Sequence, residues 1–220
     1  MAKTLVADST SNNVDNKIEI TFVDDSIWRS KVIDVKVDNT SLTVGQYSIE
    51  ANMLTINQGV IQSVGVKTIT IIANGYEDSI VYQAVNVGEF DESKSSVAHI
   101  DGVQNVGGTP RYKLTAKDQY ENAIVDYQFG LKLSAVNNNH TINEKVDISS
   151  DGVAQITYTM PMTNMGLPAI VDAPIGSTDL NGELIVTIHY FGNGQLEVDY
   201  NLNDGVGPLW FDSVGTQIFN

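Results

Sequence analysis

Three histidines, His99, His140 and His189, are the only imidazoles in the chain. They stand far apart, without the HxH or HExxH spacing that lets one strand or helix present two ligands to zinc. Their default reading is as strand or surface residues. Serines are plentiful, yet no Gly-x-Ser-x-Gly turn is present to hold one as a nucleophile. No glycine-rich loop leads into a helical pattern, so a nucleotide would find no helix terminus for its phosphates. The acidic pairs Asp24-Asp25 and Asp91-Glu92 carry oxygens that suit calcium, but neither has the one-three-five ligand spacing of a dedicated loop. Capping and solvated turns are their default reading, and calcium is the one cofactor alternative. Carboxylate pairs for glycoside hydrolysis would need a cleft, which a linear pattern does not display. The sequence therefore predicts neither catalysis nor a resident cofactor.

Composition narrows the partners. Of 220 residues, 42% are hydrophobic and 8% aromatic, which suits packed cores and argues against disorder. Lys+Arg 12 against Asp+Glu 27 leaves a net charge of −15, a field that repels nucleic-acid phosphates and anionic lipid surfaces. Residues 1–88 hold 6 basic against 10 acidic residues (−4), and the remainder 6 against 17 (−11). The expected partners are proteins. Cysteine is absent, which excludes disulfides and thiolate chemistry and is compatible with an oxidising exterior. Met1-Ala2-Lys3-Thr4 opens no apolar leader, and no apolar run reaches membrane-spanning length. Two expectations follow: a piece of a larger secreted protein, or a complete protein that reaches an exterior surface without secretion, as a bacteriophage structural protein does. The untagged run from Met1 to Asn220 favours the second.

The elements that would position any site are strands. Ile18, Ile20 and Phe22 alternate with Glu19 and Thr21, a strand with one buried face. Asp25 or Ser26 can cap a single helical turn through Ile27, Trp28 and Arg29. Ile33, Val35 and Val37 resume the strand pattern, Asp38-Asn39 supplies a turn, and Leu42, Val44, Tyr47, Ile49, Leu54 and Ile56 continue as short strands. Residues 66–73 and 79–87 form a further pair around Asn74-Gly75, whose turn needs positive φ. The charged, serine-containing stretch 88–96 marks a domain boundary. Beyond it, residues 172–181 read as a loop, and residues 183–191 and 195–202 read as a hairpin around Gly192-Asn193-Gly194. The tail holds Trp210, Phe211, Ile218 and Phe219, four large apolar side chains where a free terminus is normally polar. They are the candidate partner-binding residues, either docking on a partner or closing the core as a last strand.

The order strand, Asp24-Asp25, Trp28-Arg29, then Leu42, Thr43, Gly45 and Tyr47, then Ala73, Gly75, Tyr76 and Asp78, resembles the hemoglobin-interacting domain family named after the streptococcal hemoprotein receptor. These are small β-rich modules of Gram-positive cell-surface and S-layer-type proteins, and the likeness covers about the first 85 residues. It implies hemoglobin contact at Trp28 and Tyr76, although large aromatics of this kind more often fill a core. The second half resembles bacterial immunoglobulin-like domains of the invasin and intimin type. Ala116, Asp118, Asn122, Ala123 and Ile124 match one piece of the pattern, and Asp151, Gly152 and Ala154 another. It departs at Glu121, where that family usually has glycine before the asparagine.

The expected fold is all-β, with two tandem β-sandwich or Ig-like modules: residues 1–88, hemoglobin-interacting-domain-like, and residues 97–220, an Ig-like sandwich with a C-terminal hairpin and apolar tail. The expected function is a non-enzymatic structural or adhesive surface protein, in the first place a bacteriophage capsid decoration or fibre subunit on the virion surface. The alternative is a Gram-positive cell-surface or S-layer module that binds a host protein such as hemoglobin. An accessory domain of a carbohydrate-active enzyme is the third class.

Overall fold

Alternation of apolar residues at 18, 20 and 22 translates directly into structure. In the computed structural model, Ile18–Phe22 form strand β2, with Ile18, Ile20 and Phe22 buried and Thr21 exposed. The structure describes residues 1–100, 111–135, 144–150, 153–160, 169–190, 194–202, 209–210 and 216–219, with side chains described over 1–98, 100, 111–129 and 176–187. The chain divides into two compact units, Met1–Glu89 and Phe90–Asn220.

In the first unit β1 (Leu5–Val6), β2, β5 (Tyr47–Glu50) and β6 (Met53–Ile56) form an antiparallel sheet in the order β1-β2-β6-β5. A second antiparallel sheet has the order β4-β3-β7-β8, from β3 (Val32–Val37), β4 (Thr40–Ser41), β7 (Gly65–Ala73) and β8 (Ser79–Val85). The chain changes sheet between β2 and β3 through one helical turn, α1 (Ser26–Arg29). Asp25 caps it, its carboxylate accepting from the N–H groups of Ile27 and Trp28, which the first turn of any helix leaves without intrahelical partners. The cap delivers Trp28 into the core, where it is fully buried with its ring edge-on to Phe22 at 5.1 Å. Ile20, Leu54, Ile56, Val35, Ile69 and Ile71 are likewise without exposed surface.

Turn chemistry follows the sequence closely. Asp38 and Asn39 take φ of 47° and 69° between paired Val37 and Thr40, a two-residue hairpin whose twist requires positive φ at both positions. Gly75 has φ +83°, as expected, but the β7–β8 connection runs over residues 74–78, because Tyr76 N–H closes back on Ala73 O (3.1 Å) before the return strand begins.

The second unit also holds two antiparallel sheets. One has the order β13-β12-β15-β10-β9, from β9 (Ser96–His99), β10 (Arg111–Thr115), β12 (Glu144–Ser150), β13 (Val153–Met160) and β15 (Glu183–Tyr190). The other has the order β14-β11-β16-β17, from β11 (Gln128–Ala135), β14 (Ala169–Ser177), β16 (Gly194–Leu202) and β17 (Leu209–Trp210), with β18 (Thr216–Phe219) also on β16. The chain is all-β apart from α1 among the described residues.

Two expectations need correction here. Strands β15 and β16 are not a hairpin: β15 pairs with β10 and β12, and β16 with β11, in different sheets. Alternation reports that a strand has two faces, and says nothing about which strand lies beside it. The expected loop over 172–181 is strand as far as Ser177, at the edge of its sheet, where proline is tolerated and where the register leaves Pro174 outside the paired positions. Residues on either side of the division between the units are held by their own unit. Glu89 N–H donates to the Asp15 carboxylate (2.6 Å) in the first unit. In the second, Phe90 bridges Asp118 and stacks on Tyr127 at 4.9 Å, and Asp91 N–H donates to Lys117 O at 2.8 Å. The division between Glu89 and Phe90 falls within the stretch 88–96.

At Glu121 the departure from glycine leaves the turn in place, with Glu121 itself at φ +69°. The buried Asp118 carboxylate holds it there, accepting from the N–H groups of Tyr120 and Asn122 (2.9 Å each) and from the Asn122 side chain. Asx geometry of this kind imposes the bend from the Asp118 end.

Candidate protein-binding surface

Of the acidic pairs singled out from sequence, Asp24, Asp25 and Asp91 are engaged within the fold. Asp24 pairs with Arg29 (Nε to Oδ1, 3.0 Å), and Asp25 caps α1 while meeting Lys3 Nζ at 2.8 Å. The Lys3 hydrogen bond, then the Trp28 N–H, hold the Asp25 carboxyl below the usual carboxylate range. Asp91 is likewise lowered, first by the Ser93 hydroxyl (2.6 Å). Among the described residues no three carboxylates or histidines gather as a metal centre. His99 lies in β9 opposite Tyr112 and His189 in β15 opposite Asp147, while His140 lies outside the described residues. Trp28 is core and Tyr76 half-buried, so the fold places neither as an open aromatic contact.

The tail is divided. Trp210 in β17 pairs with Asn201, and Ile218 and Phe219 in β18 pair with Gln195 and Gly194, so both strands lie along the same strand, β16. Phe211 lies outside the described residues.

Strand β8 carries a feature that sequence reading passed over. Its burial alternates strictly, but with polarity partly reversed: Ser79 and Gln83 are fully buried, while Ile80 and Tyr82 are 51% and 69% exposed. The buried polar pair has partners in the N-terminal segment. Ser79 Oγ accepts from Lys3 N–H at 2.8 Å, and the Gln83 amide bonds both the N–H and the C=O of Asp8. The signal was available, since Ser-Ile-Val-Tyr-Gln-Ala-Val places apolar residues on both faces.

The outward face that results is broad. Antiparallel register sets Thr70 opposite Ile80, Thr68 opposite Tyr82 and Val66 opposite Ala84, and Val66 is 67% exposed. Cross-strand neighbours on one face lie within about 5.5 Å at Cβ, so these side chains form one continuous patch. Its far side is polar, where Lys36 pairs with Asp34 and lies opposite Thr70. An apolar centre with a charged margin is the composition of a protein-binding surface, and it offers no nucleophile, base or oxyanion donor set.

Residues 5–86 match the family model of the heme-binding protein Shr-like, Hb-interacting domain. The limits of this Hb-interacting-type module coincide with structure: it opens at Leu5, the first residue of β1, and closes at Asn86, whose parallel bridge to Asn13 ends the sheet. The exposed β7–β8 face lies wholly inside it. No curated protein sequence matches the chain. Among solved structures, the Escherichia coli adhesin FdeC is similar over the whole chain and 63% of its own, at 14% identity and a TM-score of 0.51. The chain thus spans less than two thirds of FdeC. The D00-D0 domain of intimin (14% identity, 99% of each chain, TM-score 0.42) and invasin, a bacterial integrin-binding protein (13% identity, 100% of this chain and 39% of that one, TM-score 0.38), are also similar. At 14% identity the likeness to FdeC concerns fold alone, an Ig-like β architecture. No helix among the described residues is long and apolar enough to cross a membrane.

Proposed function

We propose that this chain is a non-enzymatic, surface-displayed binding protein whose Hb-interacting-type module engages hemoglobin through the outward β7–β8 face. The observation that carries the reading is the coincidence of the family match over residues 5–86 with an exposed apolar sheet face inside that span. Ig-like architecture, which FdeC shares, supports display of such a module at a cell surface. Immobilised hemoglobin tests the proposal directly. The full chain should bind, and Tyr82→Ala and Ile80→Ala should weaken binding at unchanged melting temperature. Absence of binding by the unaltered chain overturns the hemoglobin assignment; binding that both variants retain moves the contact elsewhere.

Virion display, as a capsid decoration or fibre subunit docked through Trp210, Phe211, Ile218 and Phe219, is the second reading. It draws support from the tail's position on the outer side of β16, since sheet edges are where a neighbouring subunit can add a strand. The family match favours cell-surface display over it. Gene neighbourhood separates the two: capsid and tail genes alongside, or a leader and anchoring repeats in the parent reading frame.

A further inference from the structure

Two Asn-Gly pairs lie wholly within the described residues, and the fold treats them in opposite ways. At Asn74-Gly75 both residues are exposed, and a Cβ placed on Gly75 would meet nothing within 4 Å. The flanking N–H groups are engaged, Asn74 with Lys31 O at 2.8 Å and Tyr76 with Ala73 O at 3.1 Å, whereas the Gly75 N–H makes no hydrogen bond. At Asn181-Gly182 the glycine is buried and its N–H donates to Asp179 O at 2.9 Å. A Cβ there would lie 2.6 Å from Ala116 O, so the backbone of Gly182 is packed against that of β10's exit. Asn181 is held as well, its N–H on Asp179 Oδ1 (2.8 Å) and its amide on Oδ2 (3.3 Å).

We propose that Asn74-Gly75 is a site of spontaneous covalent modification, cyclising to a succinimide and opening to isoaspartate and aspartate, and that the fold protects Asn181-Gly182 from the same reaction. The Gly75 backbone nitrogen attacks Cγ of Asn74 and forms the new C–N bond. The bond from Cγ to Nδ2 breaks, and Nδ2 leaves as ammonia, taking up the proton that the Gly75 nitrogen gives up. Water then adds to one of the two imide carbonyls. Cleavage at Cγ yields aspartate in a normal chain, and cleavage at the main-chain carbonyl yields isoaspartate. One water is consumed and one ammonia released, with no redox change. An engaged N–H must first break its hydrogen bond to act as the nucleophile, which is why the Gly75 nitrogen is available and the Gly182 nitrogen is not.

The product matters where it forms. A carboxylate at position 74 joins Glu77 and Asp78 in the same turn, and the isoaspartate branch adds a methylene to the main chain between β7 and β8, the strands of the exposed face. The modified chain therefore elutes as a more acidic form.

The experiment is incubation of the full chain in warm, mildly alkaline buffer made with heavy-oxygen water. Peptide mapping by mass spectrometry and labelling with an isoaspartyl methyltransferase follow, with a urea-unfolded sample alongside. Asn74 should convert in the folded chain within a few-fold of its rate in the unfolded one. Asn181 should convert at least about tenfold more slowly than in its unfolded control, because local opening must come first. Equal protection of Asn74 and Asn181 in the folded chain, or conversion of Asn181 at its unfolded rate, would overturn the proposal.

Discussion

The side chain of Gln83 and the backbone of Asp8 exchange two hydrogen bonds: Asp8 N–H donates to Gln83 Oε1 at 2.7 Å, and Gln83 Nε2 donates to Asp8 O at 2.9 Å. A fully buried amide thus replaces a strand partner along the outer side of β8, and the N-terminal segment is secured without a continuous ladder. Gln83→Leu keeps the volume and removes both bonds, leaving the Asp8 groups without partners. The expected loss is about 1–3 kcal/mol, read as a lower denaturation midpoint of the first unit. An unchanged midpoint would show that water replaces the amide at no cost.

Trp28 and Tyr82 should separate stability from binding. Truncating the buried indole to alanine leaves a large cavity, and the expected cost is about 3–5 kcal/mol, enough to unfold the first unit. Tyr82→Ala removes an exposed ring, and its effect on stability should lie within about 0.5 kcal/mol. The reverse pattern in thermal melts would contradict the placement of the two rings.

Glu121 holds a left-handed backbone conformation that carries a steric cost for any residue with a Cβ. Glu121→Gly should raise the midpoint of the second unit by about 1 kcal/mol, since the exposed Lys94 contact it gives up (3.4 Å) contributes little. A lower midpoint would mean that the ion pair outweighs the strain.

Acid should weaken the first unit through Asp25 and Asp8. The Lys3 contact lowers Asp25; burial alone would raise Asp8, and the N–H groups of Thr10, Glu19 and Ser11 together outweigh it. With the folded pKa below the unfolded one, the stabilisation is complete above the unfolded value, about 4, and is lost as pH falls through the folded value. Asp25→Asn should therefore be less stable than the unaltered chain near neutrality, with the difference closing in acid. A difference independent of pH would assign the effect to shape and not to charge.

Deleting residues 208–220 removes β17 and β18 from β16 and should lower the midpoint of the second unit. The proposed contact role of the tail is tested in the full-length Trp210→Ala variant, where a docking anchor should cost about 2 kcal/mol or more in self-association or attachment. A variant that associates like the unaltered chain would remove Trp210 from the contact.

How far the sequence reached is visible in particular residues. Local physics determined β2, a helical cap at Asp25 or Ser26, the turn at Asp38-Asn39, the positive φ at Gly75 and the all-β class, because caps, turns and period-2 burial depend on residues adjacent in the chain. The family likeness of the first unit was also legible there, in the Trp28-Arg29 and Gly75-Tyr76 motifs, and residues 5–86 match the corresponding family model. What tertiary structure alone decided was partnership. Whether β16 lies beside β15 or β11, whether Phe90 is linker or docked on Tyr127, and which face of β8 meets the solvent depend on residues tens of positions apart. The last of these created the candidate surface. Gln83 is buried with its amide bonded to Asp8, a contact that spans 75 positions, and Tyr82, next to it in β8, faces outward.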